Sequence, residues 1–385
     1  MNAPLPPPLH GPQFSSYDAA EVSWLLTDLS HVALEAPAAQ REAMMQAKAG
    51  HYAESLPVEY QPTGEYLQLF HQALAASAAR VAHAVGVVTE LVLAARQAPV
   101  LVSLARAGTP VGILMRRWAQ FAHGVDLPHY AVSIVRGRGI DAEAMRYLAG
   151  HHDPAQVMFV DGWTGKGAIC RELREALTGL AAAGGPVFGP ELAVLADPGG
   201  CTTIFGTRDD FLIPSACLNS TVSGLVSRTV LNDRLIGPGQ FHGAKFYQDL
   251  APGDVSGLFL DTVTARFAEV ADRVAADWPA LAATDRTPDW SGWRIAVRLA
   301  DEYGLDDINL LKPGVGETTR VLLRRTPWRV LIRPDARADL GHILLLAEDV
   351  GVPVDEVEDL PYACVGLIRP RGKRPVAVAT QEAAV

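Results

Sequence analysis

The sequence predicts a two-domain α/β protein, a parallel-sheet domain with an N-terminal helical cap followed by a small α/β domain. Three observations carry this. Helical periodicity runs through the segment before residue 95, short apolar runs then alternate with amphipathic segments, and near 283–293 the periodicity breaks in a stretch of Pro, Gly, Ser and Asp. With 385 residues, 49% of them hydrophobic, the chain can bury a large core and has room for two or more domains.

The opening MNAPLPPPLHGP has no basic segment before an apolar run, so it reads as neither secretory signal nor transit peptide, and residues 1–15 are expected to be a mobile tail. From about Ala38 to Ala95, apolar residues recur at three- and four-residue spacing and predict the cap. Next come VLVSLA (100–105), helix-like 111–124, AVSIV (131–135), helix-like 142–150, VMFV (157–160), helix-like 167–182 and LAVLA (192–196). Buried strands alternating with amphipathic helices imply right-handed βαβ units, whose ligands lie at the strands' carboxyl ends. A first domain over 16–285, a second over 286–375 and a tail over 376–385 follow from the break.

A mean hydropathy of +0.12 comes with no run near the roughly 20 uninterrupted apolar residues of a membrane span. Cys170, Cys201, Cys217 and Cys364 lie far apart without CxxC spacing, against zinc ligation and a disulfide framework, and a reducing cytoplasm is expected. The formal charge of −10 disfavours wholesale attraction of nucleic acid, so any phosphate contact must be local. Basic residues cluster at Arg116–Arg117, Arg136–Arg138, Arg320–Arg329 and Arg369–Arg374, for which solvated surface is the ordinary reading.

The richest segment is VMFVDGWTGKGAICREL (157–173), where an apolar strand ends at Asp161 and Gly162, Thr164, Gly165, Lys166 and Gly167 turn into a helix. Glycines let amides approach a phosphate, and the helix N-terminus, a hydroxyl and an ammonium add to the attraction. It is not a Walker A loop, since the GxxxxGK[ST] spacing is absent. It resembles the PRPP-binding signature of type I phosphoribosyltransferases, with Gly162 where those enzymes carry a second acid. The resemblance covers roughly 95–200. It implies that Asp161 holds ribose hydroxyls, that 164–167 hold the 5′-phosphate, and that Arg106, Ala107, Gly108 and Thr109 hold pyrophosphate. Arg136 and Arg138, in HYAVSIVRGRGID, would clamp the leaving group, with Mg2+ bound alongside PRPP. A base-like acceptor would sit among Asp209, Asp210, Asn219, Ser220, Ser223, His242 and Lys245.

The whole chain resembles a bacterial group of phosphoribosyltransferases with a C-terminal Pelota-like domain, associated with tellurium-resistance stress operons. ARAGTPVG, FVDGWTGKGAI, FLIPSACLNSTVSGLVSRTVLN and FHGAKFY carry that likeness, and the same group is also labelled a cysteine protease. A phosphoribosyltransferase is therefore the expected enzyme. A PRPP- or nucleotide-sensing RNA-binding regulator without catalysis is one alternative, and a peptidase using Cys201 or Cys217 with His242 is the other. An oligomer of identical chains is compatible with either.

Near the C-terminus, LLKPGVGETTRVLLRR, VLIRPD and LGHILLLAEDVGVP resemble the Pelota and kink-turn-binding superfamily, in which a glycine-initiated helix meets RNA. That resemblance puts Lys312, Gly314, Gly316, Glu317, Thr318 and Arg320 on the RNA, with Gly316 where the superfamily usually has Asn.

Overall fold

The computed structural model describes residues 5–36, 52–59 and 64–370. Six strands, β1 (Ser23–Leu25), β2 (Val100–Ala105), β3 (His129–Val135), β4 (Val157–Trp163), β5 (Leu192–Ala196) and β6 (Ile204–Thr207), form a parallel sheet in the order β1-β3-β2-β4-β5-β6. A two-residue strand, Gly139–Ile140, folds back antiparallel on β3. Strand side chains alternate between two cores: Leu101, Met158, Ala193 and Leu195 enter one, while Val102, Phe159 and Val194 enter the other. This two-residue period inside continuously apolar runs marks strands covered on both faces.

Helices α1 (Gly64–Ala95) and α2 (Thr109–His123) cover one face with α5 (Ser256–Thr264) and α6 (Phe267–Ala282), and α3 (Ala142–His151) and α4 (Ala168–Ala182) cover the other. Over Leu67–Ala95, α1 is long and apolar enough to cross a membrane, but Phe70, Leu74, Val81, Val85, Val88 and Val92 are buried in the first core. A Cβ at Gly206 would stand 2.3 Å from the Ala84 carbonyl, so glycine there lets α1 lie directly on β6.

Two sequence expectations are corrected. The helical pattern read from Ala38 partly falls outside the described residues. Where it resumes, the chain makes a 3-10 turn (Tyr52–Glu54) and a short strand, Leu56–Pro57, pairing with Glu35–Ala36 before α1 begins at Gly64. Pro57 interrupts helix there. Of the expected N-terminal tail, residues 5–15 are packed: Leu9 exchanges backbone hydrogen bonds with Trp24, and the Phe14 ring meets Trp24 edge-on at 6.0 Å.

After α6, residues 283–290 are stitched to the first domain, with the Trp290 N–H donating to the Gly200 carbonyl and Arg286 to that of Thr203. The second domain holds α7 (Ser291–Glu302), β7 (Leu311–Pro313), α8 (Val315–Arg324), β8 (Pro327–Ile332), α9 (Gly341–Asp349), β9 (Val354–Glu356) and β10 (Cys364–Ile368). Its four strands order as β7-β10-β8-β9, with β10 antiparallel to both neighbours and β9 parallel to β8. It is thus a small mixed α/β domain, and it docks on the carboxyl ends of the first domain's strands.

Candidate active site and interdomain cleft

Between the domains lies a cleft of about 260 Å3, lined by Asp161, Lys166 and Arg136 from the first domain and by Lys312, Glu317 and Arg320 from the second. Asp161 stands at the end of β4, where one carboxylate oxygen accepts the Gly162 N–H at 2.8 Å. Burial pushes its carboxyl up to about 6, against the opposing pull of that hydrogen bond and of Arg320.

The loop after Asp161 spends its donors within the protein. Thr164 donates its hydroxyl to Asp197, and the Lys166 ammonium is turned into the second domain, bonded to the carbonyls of Leu311 (3.0 Å) and Ile308. Burial, then the neighbouring Lys312 and Arg136, lower Lys166 to about 8. The Gly165 carbonyl accepts the Tyr362 hydroxyl at 3.2 Å. Gly167 has φ +74°, and a Cβ there would stand 2.4 Å from the Trp290 ring.

Arg106 points away from the cleft, donating to the Val226 carbonyl at 2.9 Å and pairing with Glu59 at 3.3 Å. Gly108 is required sterically, since a Cβ would stand 2.3 Å from the Val160 carbonyl, and Ala107 lines the cleft. The Thr109 hydroxyl is buried without a hydrogen-bond partner. Arg138 lies 3.9 Å from Glu54.

The residues expected to form an acceptor pocket do not converge. Asp209 pairs with Arg80 at 2.9 Å on the surface, and Asp210 is half-buried at the domain junction. Ser220 donates to Glu59, while Asn219 and Ser223 line a separate small cavity with Arg106. Lys245 is held by Glu35 and the Val32 carbonyl, and His242 bonds Ser133 through Nδ1 at 2.9 Å.

His242 is also displaced from the cysteines it was expected to serve. Ser133 is on β3 and Cys201 follows β5, three strands across the sheet, a separation of about 14 Å at ~4.8 Å per strand. All four cysteines are buried. Cys201 lies in the β5–β6 loop with its thiol 3.6 Å from the Gly165 carbonyl, against Gly167 and the start of α4. Burial, then the Asp197 carboxylate, push that thiol up to about 12. Cys217 ends a 3-10 turn, Pro214–Cys217, within the first core.

Asp197 is the central residue that sequence reasoning missed. Fully buried, it accepts the Cys201 N–H at 2.9 Å, the Thr202 N–H at 3.1 Å, the Thr164 hydroxyl and the Arg208 guanidinium. An acid followed by Pro-Gly-Gly straight after an apolar strand was its only local signal.

The expected RNA turn is covered in this arrangement. Asp210 accepts the N–H of Val315, the first residue of α8, at 2.9 Å, and a Cβ on Gly316 would stand 2.9 Å from that of Ala216. Thr318 is fully buried, its hydroxyl reaching back to the Lys312 carbonyl, and Arg320 donates to the Ala216 carbonyl while pairing with Glu317. Of the six residues expected on RNA, Lys312, Glu317 and Arg320 line the cleft, whereas Gly314, Gly316 and Thr318 are buried.

Residues 15–264 match a family described as tellurite-like stress resistance cysteine protease StiP, and residues 290–370 match the PELOTA RNA binding domain. A protein of Acinetobacter baylyi, cysteine protease StiP, is 34% identical over 370 residues, which cover 93% of this chain and 94% of that protein. These matches overturn the phosphoribosyltransferase expected from the loop sequences. The geometry agrees with the correction, because Thr164, Lys166 and Arg106, assigned to phosphates, are committed to the protein's own groups. PRPP gains no support from the matches, and the expectation of Mg2+ rested on PRPP alone.

Proposed function

The chain belongs to the StiP family of tellurite-like stress resistance cysteine proteases, with a C-terminal PELOTA domain, and from that premise we propose that it is a thiol peptidase whose nucleophile is Cys201. The observation that carries the choice is the position of Cys201. It sits in a loop at the carboxyl end of the parallel sheet, its thiol against the two glycines that border the interdomain cleft.

As described, the site is at rest. A thiol pushed to about 12 is protonated near neutrality, and only the thiolate attacks a peptide carbonyl. Activation requires Cys201 to lose its cover of Trp290 and the second domain, so that burial no longer opposes ionisation. The start of α4 beside the thiol then favours the anion. The PELOTA domain, through RNA contact, is the element suited to govern that uncovering in stress.

The test is cleavage of a denatured protein substrate by the full chain, with and without RNA, comparing Cys201→Ser and Cys217→Ser. Activity lost on the order of a thousand-fold or more in Cys201→Ser alone supports the reading. Activity that survives Cys201→Ser removes it.

A second reading, an RNA-binding member that cleaves nothing, is favoured by one observation: His242 bonds Ser133 three strands from Cys201. A wild type inert toward every peptide substrate, with Cys201 unreactive to iodoacetamide even when RNA is bound, selects it.

A further inference from the structure

Arg325 and Arg369, which belong to basic clusters far apart in the sequence, come together in the second domain. The end of α8 leads through Arg325 and Thr326 into β8, and Arg369 follows β10, its N–H donating to the Thr326 carbonyl at 3.0 Å. The pairing of Pro327 with Ile368 fixes this junction. A groove of about 270 Å3 opens there, with Arg325 and Arg369 on its rim and Trp328, Pro327, Val352 and Pro353 as its apolar lining.

Arg325 is exposed, and the Nε of Arg369 is buried with no hydrogen-bond partner. The groove is remote from the first domain: α8 starts at the junction with Asp210 and reaches Arg325 ten residues later, about 15 Å along its axis. In sequence, the positive charge continues through Arg371, Lys373 and Arg374.

We propose that this groove, and not the covered turn at Gly314–Thr318, is where the second domain holds single-stranded RNA. The inference rests on the reading that this domain contacts RNA. Two guanidinium groups flanking an apolar floor match the two halves of an unpaired nucleotide. The planar forks take backbone phosphate, and the apolar floor of Pro327, Val352 and Pro353, backed by the buried Trp328, takes a base or ribose. A duplex offers no free base to such a floor. The groove is open while the domains are docked, so binding requires no prior separation of them.

The experiment is fluorescence anisotropy of a labelled oligouridine with the full chain over a range of salt. It compares wild type with Arg325→Glu, Arg325→Glu/Arg369→Glu, Lys312→Glu and Asp210→Ala. The double variant is expected to bind at least ~10-fold more weakly, with a salt slope shallower by about 1–2, and Arg325→Glu, on an exposed side chain, to lose part of this. Lys312→Glu is expected to bind like wild type. Unchanged affinity in the double variant overturns the site while leaving the RNA reading in place. So does a gain of affinity in Asp210→Ala, which places RNA at the uncovered turn. A wild type that binds no RNA at low salt overturns both.

Discussion

Asp210 of the first domain accepts two backbone N–H groups of the second, those of Val315 and Ala363, each at 2.9 Å. A single carboxylate thereby caps the start of α8 and pins the approach to β10, in the position where an RNA phosphate was expected. Burial pushes it up to about 6, against the pull of these same hydrogen bonds.

Replacing Asp210 with alanine leaves both N–H groups buried without an acceptor. The expected cost to the docked state is roughly 2–4 kcal/mol. Urea unfolding followed by fluorescence, with protease cleavage within 283–290 as a second readout, measures it. An unchanged midpoint and cleavage rate would remove Asp210 from the junction.

Stability should fall as pH rises from about 4 to 6. Asp161 and Asp210 both have carboxyls raised to about 6, so across that window the folded chain holds protons that the unfolded chain has released. Lys166 acts with the opposite slope at higher pH. Lowered to about 8, it sheds its proton before the unfolded chain does, and its contribution grows from about 8 to 10.5. Asp161→Asn should remove part of the first slope and stabilise the protein by about 1–2 kcal/mol at pH 7.5. Thermal melts at half-unit pH intervals give the comparison, and parallel wild-type and variant curves would contradict it.

The Tyr362 hydroxyl holds the Gly165 carbonyl, which also meets the Cys201 thiol. Tyr362→Phe should weaken this cover by ~1 kcal/mol and speed alkylation of Cys201 about five-fold at pH 8. Peptide mass spectrometry after timed iodoacetamide exposure reads the rate at each cysteine. An equal acceleration at Cys364 would mean general loosening instead.

Gly316 tests the domain contact by size. A Cβ there meets that of Ala216 at 2.9 Å, so Gly316→Asn should push the domains apart at a cost of roughly 1–3 kcal/mol while both cores stay folded. Small-angle scattering should show a larger radius of gyration with unchanged circular dichroism. An unchanged radius would show that the contact yields without separation.

The strands β2, β4 and β5 could be read from sequence because each is a short apolar run buried on both faces, bounded by turn residues. Gly108 and Gly167 were equally legible, since each sits where strand turns into helix. The site's chemistry was not. Lys166 and Gly165 lie in a loop whose local sequence suits anion binding, but their partners come from 142 and 197 residues further on, and no local pattern shows that. Asp210 was assigned to a base for the same reason, its true partner being 105 residues away. His242 and Cys201 have the residue types of a catalytic pair, and only the strand order reveals how far apart they lie.

The strap of residues 283–290 has a consequence of its own. Trp290 is bonded to Gly200, lies against Gly167 and leads directly into α7, so lifting the second domain pulls on the cover of Cys201. Domain separation and thiol exposure then share one free energy. A molecule that favours the parted domains therefore exposes the thiol, and a modification that traps the exposed thiol raises affinity for that molecule.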